Sequence, residues 1–365
     1  MPFDLNSAFD NAIAQSASDI FLRSGGLPRM RVRGEVVPIA TDPVTDAEMD
    51  AVMQRLLGHP KNAKKYEEDG EVDTAYQYET KCRFRCNLFH TMGRKAAVLR
   101  RIPNKVPSFK ELGLPEKALE AICAMRRGLV LVTGITGSGK STTLSAVINH
   151  INDNHPRHIV TLEDPVEFVY PDNKSMVNQR EIGSDSNDFH MALRNVVRQA
   201  PDVILLGEMR DMETMEAAIS AAETGHLVFS TLHTTNASQT VERIIQFFPP
   251  HQHEVIRMQL SLVMKGVLSQ RLVPTKDGKG RAVVVEVMMN TPRIAELLLE
   301  GKTHELADAI AQGEYYHCQT FNQHLHKLFT SGVISEQDAL ANSDSPDELK
   351  LQMRGIVRGG QMGFN

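Results

Sequence analysis

Hydrophobic and polar positions along the chain fall into two regimes. Beyond residue 127, solid apolar runs alternate with segments of helical period. The series is GLVLVTG, STTLSAVINHI, HIVTLED, SNDFHMALRNVVRQA, DVILLGE, ETMEAAISAAETG and HLVFSTLH. In the fourth of these, Phe189, Ala192, Leu193, Val196 and Val197 recur at i, i+3, i+4, i+7 and i+8, the apolar face of a helix. Gly225 stands where a helix C-terminal cap belongs, and His226 opens the next strand. Such alternation predicts an α/β fold with a parallel sheet covered by helices. Before residue 103 the pattern is that of a small α/β domain. An opening helix through Phe9 and Ile13 precedes short strands at DIFLRS and RMRVRGEVVPI, a helix in TDAEMDAVMQRLL, and strands at CRFRCNLFH and KAAVLRRI. RMRVRG sets Arg29, Arg31 and Arg33 against Met30 and Val32, the period of a half-buried strand.

Between the regimes lies IPNKVPSFKELGLPEKA, where Pro103, Pro107 and Pro115 favour an extended connector over a continuing helix. The expected division is a domain over 1–105, a linker over 106–116, an α/β core over 117–290, a helical extension over 291–355 and a flexible tail over 356–365. Charge is uneven across this divide. Residues 1–110 carry 17 basic and 14 acidic residues (+3), and the remainder carries 23 and 31 (−8), giving the net −5. The run KNAKKYEEDGEVD reads as an exposed helix end and turn.

With 365 residues and 41% hydrophobic composition, the chain has enough apolar surface to fold without disulfide staples. Its cysteines, Cys82, Cys86, Cys123 and Cys318, form no paired CxxC set and read as reduced structural thiols. No apolar run approaches the ~18 residues of a membrane-spanning helix. The start, MPFDLNSAFDNA, lacks the basic and apolar features of a secretion signal, so a cytosolic chain is expected.

The strongest chemical signal is Gly134-Ile-Thr-Gly-Ser-Gly-Lys140-Ser141, a full GxxxxGK[ST] match between an apolar strand and a helix-forming run. Glycines at 134, 137 and 139 let successive amides of the loop, with Thr136, Ser138 and Thr142, face one anion at a helix N-terminus. Lys140 is placed to reach the β- and γ-phosphates, and the Ser141 hydroxyl to ligate Mg²⁺. Hydrolysis also needs carboxylates near the metal and the attacking water. Two strand ends offer them: Glu208 after DVILLG, and Glu163 with Asp164 and Glu167 in TLEDPVE. In a doubly wound sheet both ends open on one crevice. His226 and His233 bracket LVFSTL, and His233 stands among Thr231, Thr234 and Thr235 where a γ-phosphate sensor belongs.

GITGSGKSTT, TLEDPVEF, RQAPDVILLGEMRD and AAETGHLVFSTLHTTNA, in this order, closely resemble the secretion-superfamily ATPases of type IV pili, in particular the PilT/PilU retraction family. The resemblance implies a PAS-like N-terminal domain, a RecA-like P-loop domain and a homo-hexameric ring that hydrolyses ATP with Mg. It implies that Glu163 is the catalytic base, that Glu208 supports the metal, and that His226 and His233 couple the γ-phosphate to the fold. It also implies that Arg85 and Arg100, in segments matching RFRCN and VLRRI, reach a nucleotide. An inner-membrane platform protein is the implied partner, which sets a cytoplasmic location peripheral to that membrane. The absence of a four-cysteine zinc insertion favours retraction over assembly. Where PilT-like members carry Ala-Ile-Arg-Asn-Leu, this chain has Arg293-Ile294-Ala295-Glu296-Leu297, and its later segment is closer to PilU.

Three readings follow. The first is an ATP-driven motor for twitching motility, and the second a nucleotide-gated accessory subunit that works beside a PilT-type partner. The third, a nucleic-acid translocase, is disfavoured by the thin basic footprint and by 5% aromatic residues with no tryptophan.

Overall fold

A computed structural model of the chain describes residues 3–102 and 106–355; the expected tail at 356–365 lies outside them. Contacts divide the chain into two compact units. One is Met1–Val106 with Glu163–Val169 and Gln179–Asn187; the other is Pro107–Leu162 with Tyr170–Asn178 and Asp188–Asn365.

The N-terminal unit runs α1 (Leu5–Ala14), β1 (Asp19–Arg23), β2 (Arg29–Val32), β3 (Glu35–Pro38), α2 (Asp46–Leu57), α3 (Pro60–Asp69), β4 (Glu71–Tyr78), β5 (Cys82–Thr91) and β6 (Arg94–Ile102). Its strands form an antiparallel sheet in the order β3-β2-β1-β6-β5-β4. Strand β5 buries Cys82, Phe84, Cys86 and Leu88 on one face, and α1 and α2 cover that face with Phe9, Ala12, Met49, Val52 and Leu56. Phe9 is the hub: it has no exposed surface and its ring lies 4.4 Å from that of Phe84 and 4.8 Å from that of Tyr78. The expected arginine strand ends one residue early. Arg33 and Gly34 both take positive φ, the backbone a two-residue hairpin turn requires before β3. The charge run at 61–73 holds nearly a whole helix where only a helix end was expected: Pro60 starts α3, Gly70 at φ 76° makes the turn, and Glu71–Asp73 open β4.

The second unit runs α4 (Phe109–Leu112), α5 (Glu116–Ala124), β7 (Gly128–Thr133), α6 (Lys140–Asn154), β8 (His158–Glu163), β9 (Met176–Glu181), α7 (Phe189–Val196), β10 (Val203–Leu206), α8 (Met212–Glu223) and β11 (Leu227–Leu232). It continues with α9 (Ala237–Gln246), α10 (His253–Val263), β12 (Met264–Pro274), β13 (Arg281–Met289), α11 (Pro292–Glu300), α12 (Leu306–Ala311), α13 (Phe321–Thr330), α14 (Glu336–Ala341) and α15 (Pro346–Met353). The sheet order is β13-β12-β7-β11-β10-β8-β9. From β12 through β8 every pairing is parallel, as the alternating pattern requires. The exception is the edge, where β12 and β13 form an antiparallel hairpin. Solid apolar strands such as these carry no signal of direction. The connector also differs from expectation, because Ser108 and Glu111 close a capping box around one helical turn, α4, between Pro107 and Pro115; Pro103 lies outside the described residues. All four cysteines are buried and none forms a disulfide. Among the described residues no helix is long and apolar enough to cross a membrane.

Phe9→Ala opens a cavity under the rings of Tyr76, Tyr78 and Phe84 and should cost about 3–5 kcal/mol in the stability of the N-terminal unit. Urea unfolding followed by circular dichroism measures this. A loss under ~1 kcal/mol would mean that the rings repack without Phe9.

Candidate nucleotide site

The phosphate loop leaves β7 at Thr133 and enters α6 at Lys140, bending through glycines in the left-handed region. Gly134 has φ 147°, Gly137 80° and Gly139 92°. At Gly134 a side chain also has no room, since a Cβ would meet Ser138 Oγ at 2.5 Å and the Gln270 carbonyl oxygen at 2.6 Å. Helices α7, α8 and α9 are each capped by a side chain, Asp188, Asp211 and Asn236 respectively, but Gly139 gives α6 none. The first-turn amides of α6, with the positive end of its dipole, therefore face outward for an anion. The Ser138 hydroxyl is buried without a hydrogen-bond partner, and Ser141 is exposed at the first turn. Lys140 is nearly buried; its Nζ donates to the carbonyl oxygens of Gly134 at 2.8 Å and Ile135 at 3.1 Å. Burial lowers the pKa of this ammonium, while the charge of Glu208 acts the other way. An ammonium resting on neutral carbonyls is poised to exchange them for phosphate oxygens. These features fit a nucleotide polyphosphate. A cleft of about 270 Å³ adjoins the loop on the side of β12, with Ile135, Thr136, Gln270, Arg271 and Asn342 among its lining.

The crevice at the carboxyl ends of the strands collects more. Glu208 follows β10, and His233 follows β11. Glu208 Oε1 lies 3.2 Å from His233 Nε2, and Glu208 Oε2 accepts from Arg210 at 2.9 Å. Burial alone would raise the Glu208 pKa. The hydrogen bond and charge of Arg210 outweigh it, helped by His233 and Lys140, so the carboxyl sits below its ordinary value. Thr231 Oγ1 donates to the Gly207 carbonyl at 2.8 Å and locks the two strand ends together.

Glu163 closes β8 one residue past Leu162, which pairs with Leu206 of β10. It is buried and accepts from Gln179 Nε2 at 3.2 Å and from the Glu167 amide at 3.3 Å. The acidic box around it is anchored by Glu181, whose Oε2 accepts from the Val166 amide at 3.1 Å and pairs with Arg83 at 3.0 Å. In the N-terminal sheet Arg85 of β5 and Arg100 of β6 are register partners. Arg100 Nε donates to Asp19 Oδ1 at 3.0 Å, and Arg31 Nε approaches the other oxygen at 3.4 Å.

Of the residues singled out in the sequence, the fold gathers Gly134 through Thr142, Glu208 and His233 at one end of the parallel strands. It does not bring His226 to them. His226 precedes the first residue of β11, whose last residue pairs with Thr133 at the root of the loop. Six strand residues at about 3.3 Å each put it roughly 20 Å away, at the amino-terminal end of the parallel strands. There its Nδ1 contacts the Ala221 carbonyl at 2.9 Å. The two histidines bracket LVFSTL in the sequence, and β11 separates them by its full length. Sequence reading also passed over Arg210, Gln270 and Arg271. Gln270 Nε2 donates to Thr143 Oγ1 of α6 at 2.8 Å, and Arg271 Nη1 donates to the Asn342 carbonyl at 2.7 Å. The signal available was the polar triplet Ser-Gln-Arg inside the apolar run KGVLSQRLVP.

A phosphate loop, an acid-bearing strand end and a histidine on the next strand, set on a RecA-like parallel sheet, define a P-loop ATPase. The chain belongs to the Type II/IV secretion system protein family, which matches residues 2–340. Among curated relatives it is 41% identical to the type IV pilus ATPase PilU of Pseudomonas aeruginosa, over 94% of this chain and 89% of that protein. It is 40% identical to the type IV pilus retraction ATPase PilT of the same organism, over 94% and 99%. Among solved structures, the pilus retraction motor PilT with bound ADP superimposes with a TM-score of 0.88 at 41% identity, covering 95% of this chain and 99% of that one.

Gly134→Ala should leave the fold intact and weaken nucleotide binding at least tenfold, because the new methyl displaces Ser138 and the β12 backbone. Titration with a fluorescent ADP analogue reads the affinity. Unchanged affinity in a folded variant would mean that the loop does not hold the phosphates in this backbone conformation.

Proposed function

We propose that this chain is the motor subunit of a type IV pilus retraction machine, working as a ring of six copies that hydrolyse ATP. The observation that carries the reading is the meeting of Lys140, Glu208 and His233 at the carboxyl ends of β7, β10 and β11, in a chain of the secretion ATPase family. Amides from Gly134 to Gly139, with Thr136, Ser138, Ser141 and Thr142, hold the phosphates. Lys140 leaves the Gly134 and Ile135 carbonyls for the β- and γ-phosphate oxygens. Ser141, and Glu208 through water, would hold a magnesium ion, whose charge offsets that of the phosphoryl oxygens. Glu163 takes a proton from the water that attacks the γ-phosphorus. The bond to the bridging oxygen breaks, and ADP and phosphate are the products. His233 senses the γ-phosphate from beside Glu208. His226 has no part in the site.

Arg85 and Arg100 complete the site of a neighbouring copy, where guanidinium groups stabilise charge on the transferring phosphoryl group. Support comes from their shared register in the N-terminal sheet and from Asp19, which fixes the Arg100 side chain. The division into domains expected from the sequence belongs to this reading, with the N-terminal domain moving against the ATPase core as nucleotide turns over. A platform protein in the inner membrane receives the motion, so the ring works at the cytoplasmic face of that membrane.

A second reading is favoured by α11. Where the PilT-type motif has an arginine this helix carries Ala295, and the neighbouring Arg293 is paired with Glu296 at 2.8 Å and Glu305 at 2.7 Å. The chain is then an accessory subunit to a PilT-type motor. In that case a Lys140→Ala chain restores retraction fully beside an intact partner motor.

For the motor reading, Glu163→Gln should reduce steady-state ATP turnover by about 10²-fold or more while nucleotide still binds. Phosphate release and analogue titration on the same preparation measure the two. A variant that hydrolyses at the wild-type rate removes Glu163 from the role of base.

A further inference from the structure

A polar rung crosses the C-terminal sheet beneath the nucleotide site. Glu286 of β13 is the register partner of Ser269 of β12, Ser269 that of Thr133 of β7, and Thr133 that of Leu232 of β11. The next residues after Thr133 and Leu232 are Gly134 and His233. Thr133 and Ser269 are completely buried and Glu286 is 6% exposed, within the otherwise apolar run AVVVEVMM. Thr133 Oγ1 donates to Ser269 Oγ at 3.1 Å, and Ser269 Oγ donates to Glu286 Oε1 at 3.2 Å. The same oxygen accepts the Ala237 amide, the first of α9, at 2.7 Å. The hydroxyl hydrogens thus run in one direction toward the carboxylate, which also sits at the positive end of a helix. The segment from His233 to α9 is itself braced, by Thr234 Oγ1 on Thr240 Oγ1 at 2.6 Å and by Thr240 Oγ1 on the Asn236 carbonyl at 2.7 Å.

We propose that Glu286 is a positioning residue for the ATPase reaction: it ties the root of the phosphate loop to the start of α9 and so sets His233 against Lys140. This rests on the assignment of Lys140 and His233 to the γ-phosphate site. A buried carboxylate is an expensive choice for a structural filler, since an apolar side chain of similar size stabilises as well or better. An acceptor that takes one hydrogen from the loop side and one from the α9 side is what registering the two against each other requires. Charged and titratable neighbours are few. Arg271 on β12 and Asp344 after α14 act on the carboxyl, and His324 on α13 accepts the adjacent Val285 amide at 2.9 Å. Burial pushes the Glu286 pKa up to about 7, with the Ala237 amide drawing it down and Asp344 pushing it further up. Burial holds His324 down at about 4, so it stays neutral around neutrality and does not compete. As pH falls through neutrality Glu286 takes up a proton, both accepted bonds weaken, and turnover declines.

Glu286→Gln and Glu286→Ala test this in the full chain, with kcat, KM and the pH profile of ATP hydrolysis, and with amide exchange over Ala237–Val241. The alanine variant should lose about tenfold in kcat with KM little changed, and exchange in the first turn of α9 should quicken. Glutamine keeps an accepting oxygen and cannot ionise. It should recover part of the lost kcat and erase the inflection near neutrality. Wild-type kcat and pH profile in a folded Glu286→Gln overturns the proposal. So does faster exchange with kcat per folded chain unchanged, which leaves Glu286 a structural role only. If the alanine variant does not fold, the glutamine pH profile decides by itself. Exchange of these amides needs no turnover, so a failed tether is told apart from a failed ATPase assignment.

Discussion

An ammonium held on two backbone carbonyls, at the start of a helix that no side chain caps, is the contact around which the second unit is organised. Lys140 is nearly buried, and its partners are neutral oxygens of Gly134 and Ile135. Such an arrangement is only locally satisfied: the cation is desolvated, no side chain caps the first amides of α6, and the Ser138 hydroxyl has no partner. A polyphosphate relieves all three at once. The glycines that permit the loop are therefore not interchangeable with other residues, and Gly134 has both its backbone angle and its packing against Gln270 at stake.

Both sheets align polar side chains across neighbouring strands. In the C-terminal sheet the rung from Glu286 to Thr133 lies one residue below the phosphate loop and the histidine loop. In the N-terminal sheet Arg31, Asp19, Arg100 and Arg85 fall on one rung of β2, β1, β6 and β5. A single buried carboxylate there orients Arg100 and Arg31 together. In each sheet one acid fixes groups that belong to different strands, which a rigid hydrogen-bonded ladder does better than a loop.

How much of this was legible depends on whether the signal was local. The phosphate loop, Glu208 and His233 could be read from the sequence because a solid apolar strand followed by a polar residue places that residue at a known edge of a parallel sheet. The helix pattern from Phe189 to Val196 was legible for a similar reason, but Val197, expected on the same apolar face, falls in a tightened last turn and is exposed. His226 was joined to the γ-phosphate by the resemblance, although its place ahead of LVFSTL already set it a full strand away from His233. The β12–β13 hairpin was missed because a strand buried on both faces shows no alternation. Glu286, Ser269 and Thr133 are far apart in sequence and meet only through strand register. Glu163–Val169 joins the N-terminal unit through the Glu181–Arg83 pair, a contact between residues 98 positions apart that no local pattern announces.

Nucleotide binding by this chain requires a triphosphate to displace the Lys140 ammonium from its carbonyls. Calorimetric titration of the purified chain with ATP in the presence of magnesium tests this most directly, with Lys140→Ala run alongside. Saturable heat from one site per chain, abolished in the alanine variant, is the expected result. No heat from the wild-type chain, or the same isotherm from both proteins, would contradict it.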